Sequence, residues 1–124
     1  MRIVFDTGAF VALERRQKTA LEVLRVAADD GDDLIAPAAV VAEWWRAGRR
    51  EKTRAAILRA FRFEAPTAHV ARLAGVAMGL VGAGLGDALI MAGASIQGDV
   101  VYTSDVEDFE RFGRVFPNVV VARI

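Results

Sequence analysis

Arg2-Ile3-Val4-Phe5-Asp6 near the start of the chain and Val100-Val101-Tyr102-Thr103-Ser104-Asp105 near its end decide how this sequence folds. Each is a short apolar run rich in β-branched and aromatic residues, which reads as a strand, and each leads into an acid. Asp6 and Asp105 therefore fall at strand carboxyl ends. In an open α/β sheet that edge is where ligands bind, at the point where the strand order reverses.

Working outward, strands and helices alternate. Arg2 to Asp6 reads as the first strand and Thr7 to Arg15 as a short helix capped by Asp6 or Thr7. A second helix carries Leu21, Leu24 and Ala28 at helical spacing up to the turn Asp29-Asp30-Gly31-Asp32-Asp33. Leu34 to Ala36 is a second strand, and Pro37 suits the first turn of the helix that carries Glu43, where a missing N–H costs nothing. Gly48 ends or kinks that helix. Glu51 to Phe61 is the next, with Ile57, Leu58 and Phe61 inward, and Phe63 to Ala65 is a short third strand. Ala68 to Val81 is helical with Val70, Leu73, Val76, Ala77 and Leu80 on its apolar side. Gly86-Asp87 opens a helix through Gln97, Val100 to Thr103 is the fourth strand, Asp105 to Arg111 a short helix or turn, and Asn118 to Ala122 the last strand. Such alternation implies a parallel sheet with helices on both faces.

Composition narrows the chemistry. The 124 residues are 54% hydrophobic, enough for one core, and no repeat or linker marks a domain boundary. The absence of cysteine removes thiolate zinc sites, disulfides and thiol nucleophiles, so any metal must use oxygen donors or the single histidine, His69. His69, at a helix start, reads as a surface or cap residue. The opening residues lack a basic, apolar leader, so the expected location is the cytoplasm. Leu73 to Ile96 is apolar and long enough to span a bilayer. Gly79, Gly82, Gly84 and Gly86 interrupt it and Asp87 lies inside it, so two buried helices joined by a glycine turn are expected instead, with no membrane partner. Gly82-Ala83-Gly84-Leu85-Gly86 lacks the preceding strand that a dinucleotide loop requires.

Zero net charge conceals an uneven distribution. Residues 1–43 carry five basic and eight acidic side chains, residues 44–72 eight and two, and residues 73–124 three and six. The middle block, with Arg46, Arg49, Arg50, Lys52, Arg54, Arg59, Arg62 and Arg72, would attract an anion; the plain alternative is a solvated helix face. Flanking it are four separated acids, Asp6, Glu43, Asp87 and Asp105. Gathered at one sheet edge, they would repel one another unless a hard cation such as Mg²⁺ joined them. Each also has a plain reading. Asp6 and Asp87 would cap helices and Asp105 would form a turn. Glu43, between Val40-Val41-Ala42 and Trp44-Trp45, reads as a mid-helix carboxylate in an apolar setting that Arg46 or Arg49 would have to pair. Trp44, Trp45 and Phe61 read as core, although an exposed tryptophan pair would suit a protein contact.

Asp6-Thr7, Ala38 to Glu43, Asp87-Ala88-Leu89-Ile90 and Thr103 to Phe109 together resemble the PIN-domain nucleases, and among them the VapC-type ribonuclease toxins of toxin–antitoxin pairs. The resemblance covers the whole chain. It implies a single three-layer α/β domain with strand order 3-2-1-4-5, so that Asp6 and Asp105 become neighbours. It also implies Mg²⁺- or Mn²⁺-dependent endoribonuclease activity, an RNA substrate, a cognate antitoxin and a homodimer. Carried over by residue, Asp6, Glu43, Asp87 and Asp105 are the catalytic metal-binding acids, Asp108 an accompanying acid and Thr103 the strand-end hydroxyl. Arg46, Arg49 and Arg50 are the expected RNA contacts. Gly8 stands where relatives often carry a small polar residue. Two alternatives stay open: a degenerate PIN fold serving as an interaction module, and a phosphoryl-transfer domain. The latter needs a lysine near a later strand end, and the only lysines are Lys18 and Lys52.

Overall fold

A computed structural model describes residues 1–124 and arranges five strands in one sheet of order β3-β2-β1-β4-β5. The strands are β1 (Arg2–Phe5), β2 (Asp33–Pro37), β3 (Arg62–Glu64), β4 (Val100–Thr103) and β5 (Val120–Arg123). Between them lie α1 (Thr7–Glu14), α2 (Lys18–Asp30), α3 (Ala38–Trp44), α4 (Glu51–Leu58), α5 (Ala68–Val81), α6 (Leu85–Ser95) and α7 (Val106–Glu110), with a 3₁₀ turn at Arg111–Arg114. Every strand pair is parallel. Parallel neighbours need long crossovers, and helices fill them. The expected strand order holds, and β1 lies between β2 and β4.

The central strand is buried through Ile3, Val4 and Phe5, and it separates two packing layers. On one face the Phe5 ring meets Phe10 at 6.0 Å and Phe61 at 5.2 Å, while Phe10 meets Phe61 at 4.6 Å and Trp44 at 5.0 Å. Trp44 is core as expected, and its indole N–H donates to Glu14 at 3.0 Å, which satisfies its one polar atom. Trp45 is only partly buried. On the other face α6 buries Ala88, Ile90, Met91, Ala92 and Ala94, and α5 packs against α6 with Ala74 and Ala77 buried. Small side chains let these helices approach closely.

Several boundaries differ from the expectation. Pro37 closes β2 and stands just before α3 instead of in its first turn; its φ of −63° serves either position. The helix α4 stops at Leu58, and β3 begins at Arg62, one residue early. The α5–α6 pair is less buried than its composition suggests, because Val76 and Leu80 face outward at 58% and 70% exposure. Gly82 adopts φ 66° and ends α5, a left-handed turn that other residues rarely take. No helix is long and apolar enough to cross a membrane.

Phe10 is fully buried between three aromatic rings, so its truncation leaves a cavity that the sheet cannot collapse to fill. Phe10→Ala is expected to lower the unfolding free energy by about 3–5 kcal/mol in urea titrations. A loss below about 1 kcal/mol would show that this aromatic cluster is not the core of the domain.

Candidate active site

The pairing of β1 with β4 aligns Phe5 with Tyr102, and the Asp6 N–H donates to the Tyr102 carbonyl at 3.1 Å. Asp6 is thereby fixed one step beyond the strand, beside Thr103. It is also the N-cap of α1, where its Oδ1 accepts from the Ala9 N–H at 2.8 Å. The capping role is therefore real. It does not exhaust the carboxylate, which has two oxygens and further lone pairs. Asp6 is buried, and its carboxyl is pushed above the usual range: burial dominates, hydrogen bonds from Thr103 and Ala9 oppose it, and the charges of Asp87 and Asp105 add to it.

Thr103 is fully buried and couples the two strand ends, since its hydroxyl hydrogen-bonds Asp6 and accepts from the Asp105 N–H at 3.0 Å. Asp105 is exposed, and it caps α7 by accepting from the Asp108 N–H at 3.3 Å. Asp87 is not an N-cap. Gly84 holds that position, and Asp87 sits in the first turn of α6, where the helix dipole favours an anion. Its carboxyl is also raised, by partial burial first and then by Glu43, with Asp108 and Asp105 contributing and Arg111 opposing.

Glu43 departs most from the sequence reading. It lies in the last turn of α3, solvent-exposed, and neither Arg46 nor Arg49 pairs with it. The helix ends at Trp44, so the apolar neighbours of Glu43 turn inward while its own side chain projects outward. Its carboxylate lies against Gly86: a Cβ there would stand 2.5 Å from Oε1. Gly8 plays a similar part, because a Cβ on it would collide with the Ser104 hydroxyl and approach Asp6 Oδ1 at 3.5 Å. Two glycines thus leave the space these polar groups occupy.

Asp6, Asp87, Asp105 and Glu43 share one field, with Asp108 at its margin. The three arginines expected to bind RNA do not join them. Arg50 is paired with Glu14, Arg46 donates to the Ala42 and Trp45 carbonyls, and none of the three bonds to a site carboxylate. Arg54 also pairs with Glu14, at 3.1 Å, and Arg62 with Asp33, at 3.2 Å, so part of the basic block is structural. Burial raises the Glu14 carboxyl, but hydrogen bonds from Arg54, Trp44 and Arg50 outweigh it and hold it low. The cation that does reach the acids is Arg111, 3.8 Å from Asp87 Oδ2. Sequence reading missed it; the only signal was a lone cation after Asp105, Glu107, Asp108 and Glu110.

The donors are all oxygen, as Mg²⁺ and Mn²⁺ prefer. No three acids stand close enough to hold a metal ion in this conformation. That spacing still fits Mg²⁺, which keeps several waters and is usually held by one or two carboxylates together with substrate phosphate. Glu43 and Asp105 are both solvent-exposed, and Asp105 keeps a second oxygen beyond the one that caps α7.

The sequence profile of the PIN domain matches residues 3–115. No curated protein sequence matches the chain significantly. Among solved structures, the VapBC2 complex of Rickettsia felis, bound to a DNA fragment from its promoter, superposes with a TM-score of 0.82 at 16% identity, covering 100% of this chain and 99% of that one. VapBC-1 of nontypeable Haemophilus influenzae gives 0.77 at 14% identity, with 99% and 98% covered. A toxin–antitoxin complex from Klebsiella pneumoniae gives 0.74 at 18%, with 98% and 99% covered. At these identities the likeness carries the fold.

Asparagine retains an oxygen for the Ala9 N–H but carries no charge, which separates the two roles of Asp6. Because the folded Asp6 pKa is raised, its charge destabilises the metal-free fold above that pKa, and the penalty fades as pH falls through it. In EDTA, Asp6→Asn is therefore expected to melt at or above the wild type at neutral pH, with the difference shrinking on acidification. Asp6→Ala, lacking the cap, should lose about 1 kcal/mol relative to Asp6→Asn. Asp6→Asn melting far below the wild type at every pH would contradict this account.

Proposed function

The chain belongs to the PIN-domain family, and from that premise we propose that it is a metal-dependent endoribonuclease that hydrolyses RNA phosphodiester bonds as the toxin of a toxin–antitoxin pair. The observation that carries this reading is the convergence at the β1–β4 edge of four acids remote in sequence: Asp6 and Asp105 at adjacent strand ends, and Glu43 packed against Gly86, one residue before Asp87. A fold that places like charges together against burial sustains a cost that a cation would relieve.

In this reading Asp6, Asp87, Asp105 and Glu43 hold Mg²⁺ or Mn²⁺, with Asp108 supporting. The ion would supply positive charge at the scissile phosphate and ease the deprotonation of a water. Thr103 orients Asp6 and the Asp105 backbone together, so it is a positioning residue. Arg111, 3.8 Å from Asp87 Oδ2, neutralises part of the acidic field around Asp87. In this reading no side-chain nucleophile is needed, because a water activated beside the ion would be the attacking group. Arg46 and Arg49, with no acidic partner, would contact the RNA backbone away from the reacting centre; Arg50 would do so only by leaving Glu14.

A cognate antitoxin, a homodimer and a cytoplasmic location belong to the same proposal. The structural neighbours from Rickettsia, Haemophilus and Klebsiella are toxin–antitoxin complexes, which supports the antitoxin. Exposed Val76, Leu80 and Leu85 supply apolar surface that assembly would bury. A second reading, a PIN fold kept only for protein contacts, is favoured by one observation: the acids are not gathered into a ready ligand set.

RNA cleavage by the purified chain is expected to require Mg²⁺ or Mn²⁺, to stop in excess EDTA, and to fall roughly 100-fold or more in Asp105→Asn at unchanged fold. Cleavage that persists in EDTA rejects the metal mechanism, and no cleavage of any RNA under any metal favours the interaction module. Replacing Arg46 and Arg49 by alanine should flatten the salt dependence of RNA binding by about 0.7 in logarithmic slope for each lost phosphate contact, with the melting temperature unchanged. Arg50→Ala should lower that temperature, because it strips a partner from Glu14. An unchanged slope would return Arg46 and Arg49 to the solvated surface.

A further inference from the structure

Arg111 reaches the acidic edge from the 3₁₀ turn that follows α7, and its Nη2 stands 3.8 Å from Asp87 Oδ2. Its neighbour Phe112 is fully buried beside Phe109 and Phe116, and the guanidinium lies over the Phe112 ring at 5.6 Å from the ring centre. That contact helps hold the cation where it meets the acids. Both partners are open to water, since the side chains of Arg111 and Asp87 are each 36% exposed. Of Asp6, Glu43, Asp87, Asp105 and Asp108, only Asp87 is ion-paired. The other cation close by in the fold, Arg123, is taken by Glu107 at 2.7 Å.

Five acids thus share one paired cation, and it stands on the acid in the first turn of α6. Burial and then Glu43 raise the Asp87 carboxyl, and the Arg111 charge opposes them. A divalent ion drawn to Asp87 meets the same guanidinium at close range, and two cations on one carboxylate repel. On the metal-binding reading of the site, we propose that Arg111 is its built-in counter-cation: it partners Asp87 in the metal-free chain, competes with the divalent ion, and so sets the metal affinity. The exchange leaves the sheet untouched, because both side chains are part-exposed and water can solvate the guanidinium that the ion repels. Metal and Arg111 are alternative partners of one carboxylate.

Three substitutions separate this effect from a general change in charge. Arg111→Gln removes the charge and keeps a long polar side chain, Arg111→Lys keeps a charge, and Arg25→Gln removes a charge from α2, where Arg25 pairs with Glu22 and Asp29. Mn²⁺ is the probe, titrated without RNA into the full chain, with free ion followed by electron paramagnetic resonance and heat by calorimetry. Arg111→Gln is expected to bind Mn²⁺ about threefold or more tightly than the wild type at low salt, with the gap narrowing as added salt screens the charge. Arg111→Lys and Arg25→Gln should stay within about twofold of the wild type. In EDTA, Arg111→Gln should melt roughly 1–3 °C below the wild type, having lost an exposed ion pair, and at a fixed Mn²⁺ concentration it should gain more than the wild type does. Mn²⁺ bound no more tightly by Arg111→Gln than by the wild type, or an equal gain in Arg25→Gln, overturns the proposal and leaves the metal site standing. No Mn²⁺ uptake by either the wild type or Arg111→Gln overturns the metal reading, and the proposal with it.

Discussion

The hydrogen-bonded pairing of β1 with β4 is the constraint on which the rest depends. Chain connections diverge there: β1 leads away through α1 toward β2, while β4 leads through α7 toward β5. No crossover helix closes the gap between the two carboxyl ends. Asp6 and Asp105, remote in sequence, are set side by side by a main-chain register that neither side chain determines. Thr103 reinforces that register from inside, because its buried hydroxyl serves both ends. The remaining acids arrive from one layer: α3 and α6 pack together and bring Glu43 against Gly86, one residue before Asp87.

Much of this was legible in the sequence. Short apolar runs separated by helical periodicity identify the strands, and an acid just past each of two such runs identifies the sheet edge at which Asp6 and Asp105 lie. Strand order was not legible from pattern alone, since β/α alternation permits several, and it came from the resemblance. Glu43 was misread because its neighbours Val40, Val41 and Trp44 are apolar, and a helix end reverses what such neighbours imply. The inward stripe of α5 was drawn too wide at Val76 and Leu80, for which the fold provides no covering layer. The basic block was read as one surface, whereas ion pairs with Glu14 and Asp33 divide it. Such long-range partners leave no trace in local spacing, and Arg111 was missed for the same reason.

Polar groups inside the domain fall into two kinds. Glu14 is satisfied by Trp44 and Arg54 and further held by Arg50, so it ties α1 to α3 and α4 as a structural node. Asp6, Asp87 and Asp99 are raised carboxyls whose surroundings do not fully compensate them. Stability accounts for the first kind. Burial is the largest cause of the second.

The central strand pair also governs when the acidic edge comes into existence. Arg2 and Asp99, joined at the base of β1 and β4, are 97 residues apart, so closing that contact costs on the order of 4 kcal/mol of loop entropy before any packing repays it. A ribosome must therefore release the chain through Asp105 before the acids can meet. Until then the nascent chain holds Asp6 on one end and has no Asp105 to set beside it. Assembly of the acidic edge thus waits on the synthesis of β4, and a product terminated before it, however much helix it forms, would lack that edge.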